Sequence, residues 1–290
     1  MVRLNVRPAP HLRHLIRGYQ YMNVPAHPEG FVVPAQERAM LILPAHTEYR
    51  VEGDIAERIE LHRATILGPH RAPIVNRTER PICGFTVDFT PLGMSMLIGV
   101  PQEEIVDRGV NAADLFDLET VRELYESAGR CDDPHSSMEK LNTLFGRLQR
   151  QSEGRPATGI AAVSEALDLA AVALSAGRPS EATVERLSGR VGISTRHLNR
   201  EFHRLLGMGP KQYLLIARIG RSMGAIAAAP ERDLSTLAIE QGFFDYSHFC
   251  HAFKRATLAT PSEFRSSLRY KEYGVVASIP SDRIQKSPGA

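Results

Sequence analysis

The chain has 290 residues, 43% of them apolar, with 35 Lys and Arg against 33 Asp and Glu. That length and apolar fraction suffice for two domains with a core each. The absence of any run of about 18 uncharged apolar residues excludes a membrane-spanning helix, and the opening MVRLNVRPAPHLRHLIRG lacks the features of a secretory signal, so a cytoplasmic location is expected.

Charge and cysteine placement narrow the classes further. Arg178 to Lys271 holds 15 Lys and Arg against 8 Asp and Glu, while the rest of the chain holds 20 against 25. A basic C-terminal third beside an acidic remainder points that third toward a polyanion such as nucleic acid. Cys83, Cys131 and Cys250 are odd in number and form no CxxC pair. Neither a disulfide framework nor a thiolate zinc site is expected, and the thiols read as reduced.

In chain order, Phe31 to Val33, Ala39 to Leu43, Arg58 to His62, Thr65 to Leu67 and Gly84 to Phe89 are short apolar or alternating runs between turn residues, which predicts strands of a small sheet or barrel. From Pro91 the period changes. PLGMSMLIGV, DLETVRELYESAG and PHSSMEKLNTLFGRLQRQ space apolar residues three and four apart, as amphipathic helices do, the last with Leu141, Leu144, Phe145 and Leu148 on one side. SEGRPATG, Ser152 to Gly159, carries helix breakers and marks a domain boundary. The expected units are 1–152; 160–269, which is all-helical and holds most of the basic excess; and 270–290, a tail.

The second unit contains a repeat. Leu187, Gly192, Leu198, Phe202, Pro210 and Tyr213 are matched by Leu237, Gly242, Phe249, Phe253, Pro261 and Phe264. Each copy reads as a short helix, a glycine turn and a second helix with an apolar face, the helix-turn-helix pattern. At about 100° per residue, Leu198, Phe202, Leu205 and Leu206 fall on the buried side of the first copy's second helix, and Arg196, Asn199, Arg200 and His203 on the opposite side. Ser194 or Thr195 suits the N-cap. Forked arginine and amide donors near a helix N-terminus match guanine and adenine edges in the major groove.

In the second copy Phe249, Ala252, Phe253 and Ala256 form the apolar side, Ser247, His248, His251, Lys254 and Arg255 lie opposite, and Asp245 is placed to cap. Cys250 sits about 200° around from His248, so the pair cannot share a tetrahedral metal; no metal and no cofactor is expected. Between the copies PKQYLLIARIGRSMGAIAAA reads as one long helix from Pro210. Such a spacer lets two recognition helices enter successive major grooves, about 34 Å apart. Arg190, Arg204, Lys211, Lys254 and Arg255 are then expected to contact phosphates.

The segment LSTLAIEQGFFDYSHFCHAFKRATLATPSEFR resembles the signature of the AraC/XylS family of bacterial transcription regulators, with Ala238, Gly242, Phe243, Asp245, Ser247, Phe249, Phe253, Lys254, Pro261, Phe264 and Arg265 fitting its pattern. The resemblance runs from Leu169 to Arg269. It implies that Arg196, Asn199 and Arg200 occupy base-contacting positions of the first unit, with Thr195 beside them, and Tyr246, Ser247 and His251 those of the second. The family often has arginine where this chain has His251, and a neutral imidazole offers one donor rather than a fork. TILGPHRAPIV and GFTVDFTPLGMSMLIGVPQEEIVDRGVNAADLF resemble a sensory domain found ahead of such units, which implies a cupin-like barrel.

The expected fold is therefore α+β: a β-rich, cupin-like N-terminal domain with trailing helices, then two helix-turn-helix units joined by a long helix. The expected function is sequence-specific binding of double-stranded promoter or operator DNA by a cytoplasmic, nucleoid-associated transcription regulator, whether activator or repressor, without enzymatic activity. RNA polymerase, a small-molecule effector and a second copy of the chain (a homodimer) are the further partners the resemblance allows. His46, His62 and His70 lack the HxH spacing of a cupin metal site. Two alternatives stay open: a DNA-binding unit fused to an alkyl-transfer domain using Cys83 or Cys131, and a protein-only adaptor.

Overall fold

The computed structural model describes residues 2–44, 49–128, 133–153 and 159–269. Its N-terminal region holds β1 (Val2–Val6), β2 (Ile16–Val24), β3 (His27–Val33), β4 (Met40–Pro44), β5 (Tyr49–Glu52), β6 (Thr65–Leu67), β7 (Ile74–Thr78), β8 (Ile82–Phe89) and β9 (Gly109–Asn111). They form two antiparallel sheets, β1-β2-β8-β4-β6-β9 and β3-β7-β5. β8 lies between β2 and β4, pairing Phe85 with Tyr21 and Val87 with Leu41, and is buried along almost its whole length, Thr86 and Asp88 included.

The strand expected over Arg58 to His62 is replaced by a 3-10 turn, Ala56–Arg58, and a single bridge between Ile59 and Gly109. The bridge falls on the open edge of β9, which is only three residues long and so offers little for a longer ladder. Between β8 and β9 lies α1 (Gly93–Ile98), and after β9 come α2 (Leu118–Ala128) and α3 (Pro134–Ser152). The apolar side of α3 closes the large sheet: Phe145 is fully buried, 6.4 Å from the Tyr19 ring and 5.8 Å from that of Phe89.

The reading of three reduced thiols is corrected at Cys83, which is disulfide-bonded, whereas Cys250 is free. Pairing between distant cysteines leaves no mark in local spacing. A disulfide-bonded Cys83 also lacks the free thiolate that alkyl transfer needs.

The C-terminal region is helical: α4 (Ile160–Ser175), α5 (Val184–Val191), α6 (Thr195–Leu206), α7 (Pro210–Ala228), α8 (Leu234–Glu240), α9 (Tyr246–Thr257) and α10 (Pro261–Arg269). The repeated apolar residues form its core, with Leu187, Leu198, Phe202, Leu237, Phe249, Phe253 and Phe264 all buried. Val32, Ala35, Val75 and Leu92 of the N-terminal region join the same core, so the two regions pack on each other. Most of the expected linker, residues 154–158, and the expected tail lie outside the described residues. Among the described residues no helix is long and apolar enough to cross a membrane.

Candidate nucleic-acid interface

Each helix pair is assembled by local rules. In the first, Thr183 accepts from the Arg186 amide to start α5, Gly192 closes it at φ 76°, and Ser194 accepts from the His197 amide to start α6. In the second, Asp233 caps α8 through Thr236, and Asp245 caps α9 through His248 at 2.7 Å. Gly242, at φ 80°, repeats the role of Gly192; both turns need a left-handed residue, which glycine supplies without a Cβ clash. Of the two N-cap options for α6, Ser194 is the one used.

The outer side of α6 carries Thr195, Arg196, Arg200 and His203, all exposed, with Asn199 half-buried and donating to the Thr195 carbonyl at 2.8 Å. Arg196 stands at the N-terminal end. Arg200 and Arg204 behave differently from it because both grip Glu201. Arg200 reaches Oε1 through Nε and Nη2 at 3.1 Å, and Arg204 reaches Oε2 through the same two atoms at 3.1 and 2.8 Å. Glu201 is buried; burial alone would raise its pKa, but hydrogen bonds and charge from Arg204 and Arg200 hold the carboxyl below its usual value. The Arg200 side chain stays 70% exposed and that of Arg204 only 35%.

On α9 Ser247, His248, His251, Lys254 and Arg255 are exposed. His248 Nδ1 accepts from the Phe244 amide at 3.5 Å, which leaves the neutral ring's proton on Nε2, and its ring meets Phe243 edge-on. Tyr246 is half-buried, and its hydroxyl lies 3.3 Å from Ser262 Oγ on α10, so it faces the protein rather than the outer side. Arg190 and Lys211 are exposed. Arg218 of α7 donates to the Gly242 carbonyl at 2.9 Å and lies over the Phe243 ring, tying the connecting helix to the second turn.

Sequence alone did not single out Glu201, although its i+3 spacing to Arg204 is a signal, nor Phe244, 87% exposed ahead of α9. It also named no residues for a cavity of about 600 Å³ between the two sheets. Gln36, Arg38, Asn76, Thr86 and Asp88 line it, and each has one buried polar atom with no hydrogen-bond partner among the described residues. Of the three histidines considered for a metal, His46 lies outside the described residues and His62 sits 3.5 Å from Glu60. His70 is buried with its ring nitrogens 3.2 and 2.9 Å from the Gly68 and Pro34 carbonyls.

Residues 187–267 match the family model described as a helix-turn-helix domain. An uncharacterized HTH-type transcriptional regulator of Haemophilus influenzae is 26% identical over 102 residues; the match spans 35% of this chain and 34% of that protein, well short of its length. Among solved structures, ToxT from Vibrio cholerae is similar over 86% of this chain and 98% of its own, at 12% identity and a TM-score of 0.49. A second structure, of ToxT from Vibrio cholerae O395, matches 86% and 97% at 12% identity and a TM-score of 0.48.

Proposed function

We propose that the chain is a bacterial, sequence-specific DNA-binding transcription regulator of the AraC type, whose α6 and α9 are recognition helices for successive major grooves; the match of residues 187–267 to a helix-turn-helix family model supports this. The observation that carries this reading is the duplication itself. Two capped helix pairs, each turning at a left-handed glycine, are joined by the 19-residue α7, and each leaves one polar helix face outward. A rise of about 1.5 Å per residue makes α7 a spacer of about 28 Å, close to the pitch of one duplex turn.

The roles divide by position. Arg196, Asn199 and Arg200 read base edges from α6, with Thr195 at its start; Ser247, His248 and His251 do so from α9, with Tyr246 bracing that helix. Lys254, Arg255, Arg190 and Lys211 contact phosphates, and Arg204 sets the Glu201 carboxylate that orients Arg200. The protein works in the cytoplasm on promoter DNA.

The N-terminal region then carries the control. Its cavity suits a small molecule with an apolar body and polar groups able to satisfy Arg38 and Asp88, since unpaired buried polar atoms are costly until a partner arrives. Charge reversal tests the DNA reading: Arg196→Glu, at a residue outside the Glu201 contacts, is expected to abolish specific binding while the helical signal persists. Undiminished binding by that variant would overturn it in favour of an adaptor.

A further inference from the structure

The outer helices α6 and α9 end not in solvent but against the N-terminal region. The last carbonyls of a helix have no partner within it and are ordinarily met by the following turn or by water. At α6 the Leu205 carbonyl instead accepts from Ser95 Oγ and from Gln102 Nε2, both at 2.8 Å, across 110 and 103 residues of sequence. Gln102 is fully buried and its Nε2 also donates to the Pro91 carbonyl at 2.6 Å, so its side chain is held from both sides. At α9 the Ala256 carbonyl accepts from the Ala35 amide at 2.9 Å.

The contact around α6 is close as well as polar. A Cβ placed on Gly207, directly after α6, would lie 2.9 Å from the Gln102 carbonyl oxygen and 2.8 Å from Val106 Cβ. Around α9, Ala35 and Val32 belong to the core of the helical region. The two helices are thus joined twice: through α7 and the helical core, and through the β-rich region, which holds the C-terminal end of each. A body that is bridged twice cannot change the angle between its two arms without breaking one bridge.

We propose that Ser95 and Gln102, together with the Ala35 main chain, are positioning residues for DNA recognition. They fix α6 relative to α9, so that the two N-terminal ends fit half-sites at one separation. The inference rests on the regulator reading above, and the donors involved are uncharged, so they hold geometry without contributing to phosphate attraction.

The test uses the full chain and DNA enriched from a random pool. Inserting two base pairs between the half-sites rotates one by about 70° relative to the other. Wild type is expected to lose about ten-fold in affinity, or 1.4 kcal/mol. The Ser95→Ala, Gln102→Leu double variant is expected to lose about three-fold or less on the same insertion. Its affinity for a duplex carrying only the α6 half-site should stay within about two-fold of wild type. The single Ser95→Ala variant should loosen spacing in the same direction and serves if the double variant fails to fold. A full spacing penalty in the folded variants, equal loss on half-sites and whole sites, or no penalty in wild type would each overturn the inference. Failure of wild type to enrich any sequence would instead overturn the regulator reading, and this inference with it.

Discussion

Glu201 and Arg204 lie three residues apart on α6 and form a two-point contact, Arg204 Nε and Nη2 on Oε2 at 3.1 and 2.8 Å, with the carboxylate buried. Sequence logic places Arg204 among the phosphate contacts, yet here its guanidinium already has a partner. Arg204→Ala is therefore expected to destabilise the fold by about 1–3 kcal/mol, since a buried acceptor loses charged donors. Thermal unfolding checks this; an unchanged midpoint would return Arg204 to a purely DNA-facing role.

The same carboxylate sets an acid limit. Its folded-state pKa lies below the ordinary glutamate value, so its contribution is present above that ordinary value and is lost as pH falls through the lower folded one. Glu201→Gln should flatten the loss of stability in the range below about pH 4, measured as denaturation midpoints against pH. A variant as acid-sensitive as wild type would show that other carboxyls govern the limit.

Arg196 provides the contrast, because it is exposed and no partner for its side chain is seen among the contacts around Glu201. Arg196→Ala should leave the unfolding midpoint unchanged and cost about 1–3 kcal/mol in specific binding with relaxed preference at one base pair. Lys254→Ala should weaken all sequences alike and lower the salt slope by about one. Identical behaviour of the two variants in salt titrations would contradict the division into base readers and phosphate contacts.

His251 stands exposed on α9 where an arginine would offer a bidentate fork. His251→Arg is expected to tighten binding to sites with guanine at the facing position by about 1–3 kcal/mol and to leave other sites unchanged. Binding measured over single-base variants of the enriched site decides it.

His70 makes stability depend on pH near neutrality. Burial pushes its pKa down, against the opposing pull of the Gly68 and Pro34 carbonyls and the charges of Asp107 and Glu37. The unfolded chain takes up a proton below about pH 6.5 while the folded chain resists it, so stability falls as pH drops from that value toward the depressed one. His70→Gln should lose less stability than wild type between pH 7.5 and 5.5. Equal losses would assign the effect elsewhere.

The helical region was legible because its signals are local. Ser194, Asp233 and Asp245 cap, Gly192 and Gly242 turn, and the apolar repeat follows the helical period. The β region was legible only in part: β4, β6, β8 and the end of β3 coincide with apolar runs, whereas β1, β2, β5, β7 and β9 carry no such run. β2 did carry a signal, since Tyr19 and Tyr21 alternate with more exposed Gln20 and Met22. No local pattern could place Gln102 and Ser95 on the Leu205 carbonyl, because neutral side chains a hundred residues away leave no periodicity or charge to read. The polar lining of the cavity was hidden for the same reason: Arg38 and Asp88 come together only when β4 and β8 pair.

The most direct test of the central claim is selection of the purified full chain against a random duplex pool at physiological salt, followed by affinity measurement. The account predicts a bipartite site with half-sites about one helical turn apart, bound about a thousand-fold or more tighter than random DNA. Binding of every sequence with equal affinity would contradict it.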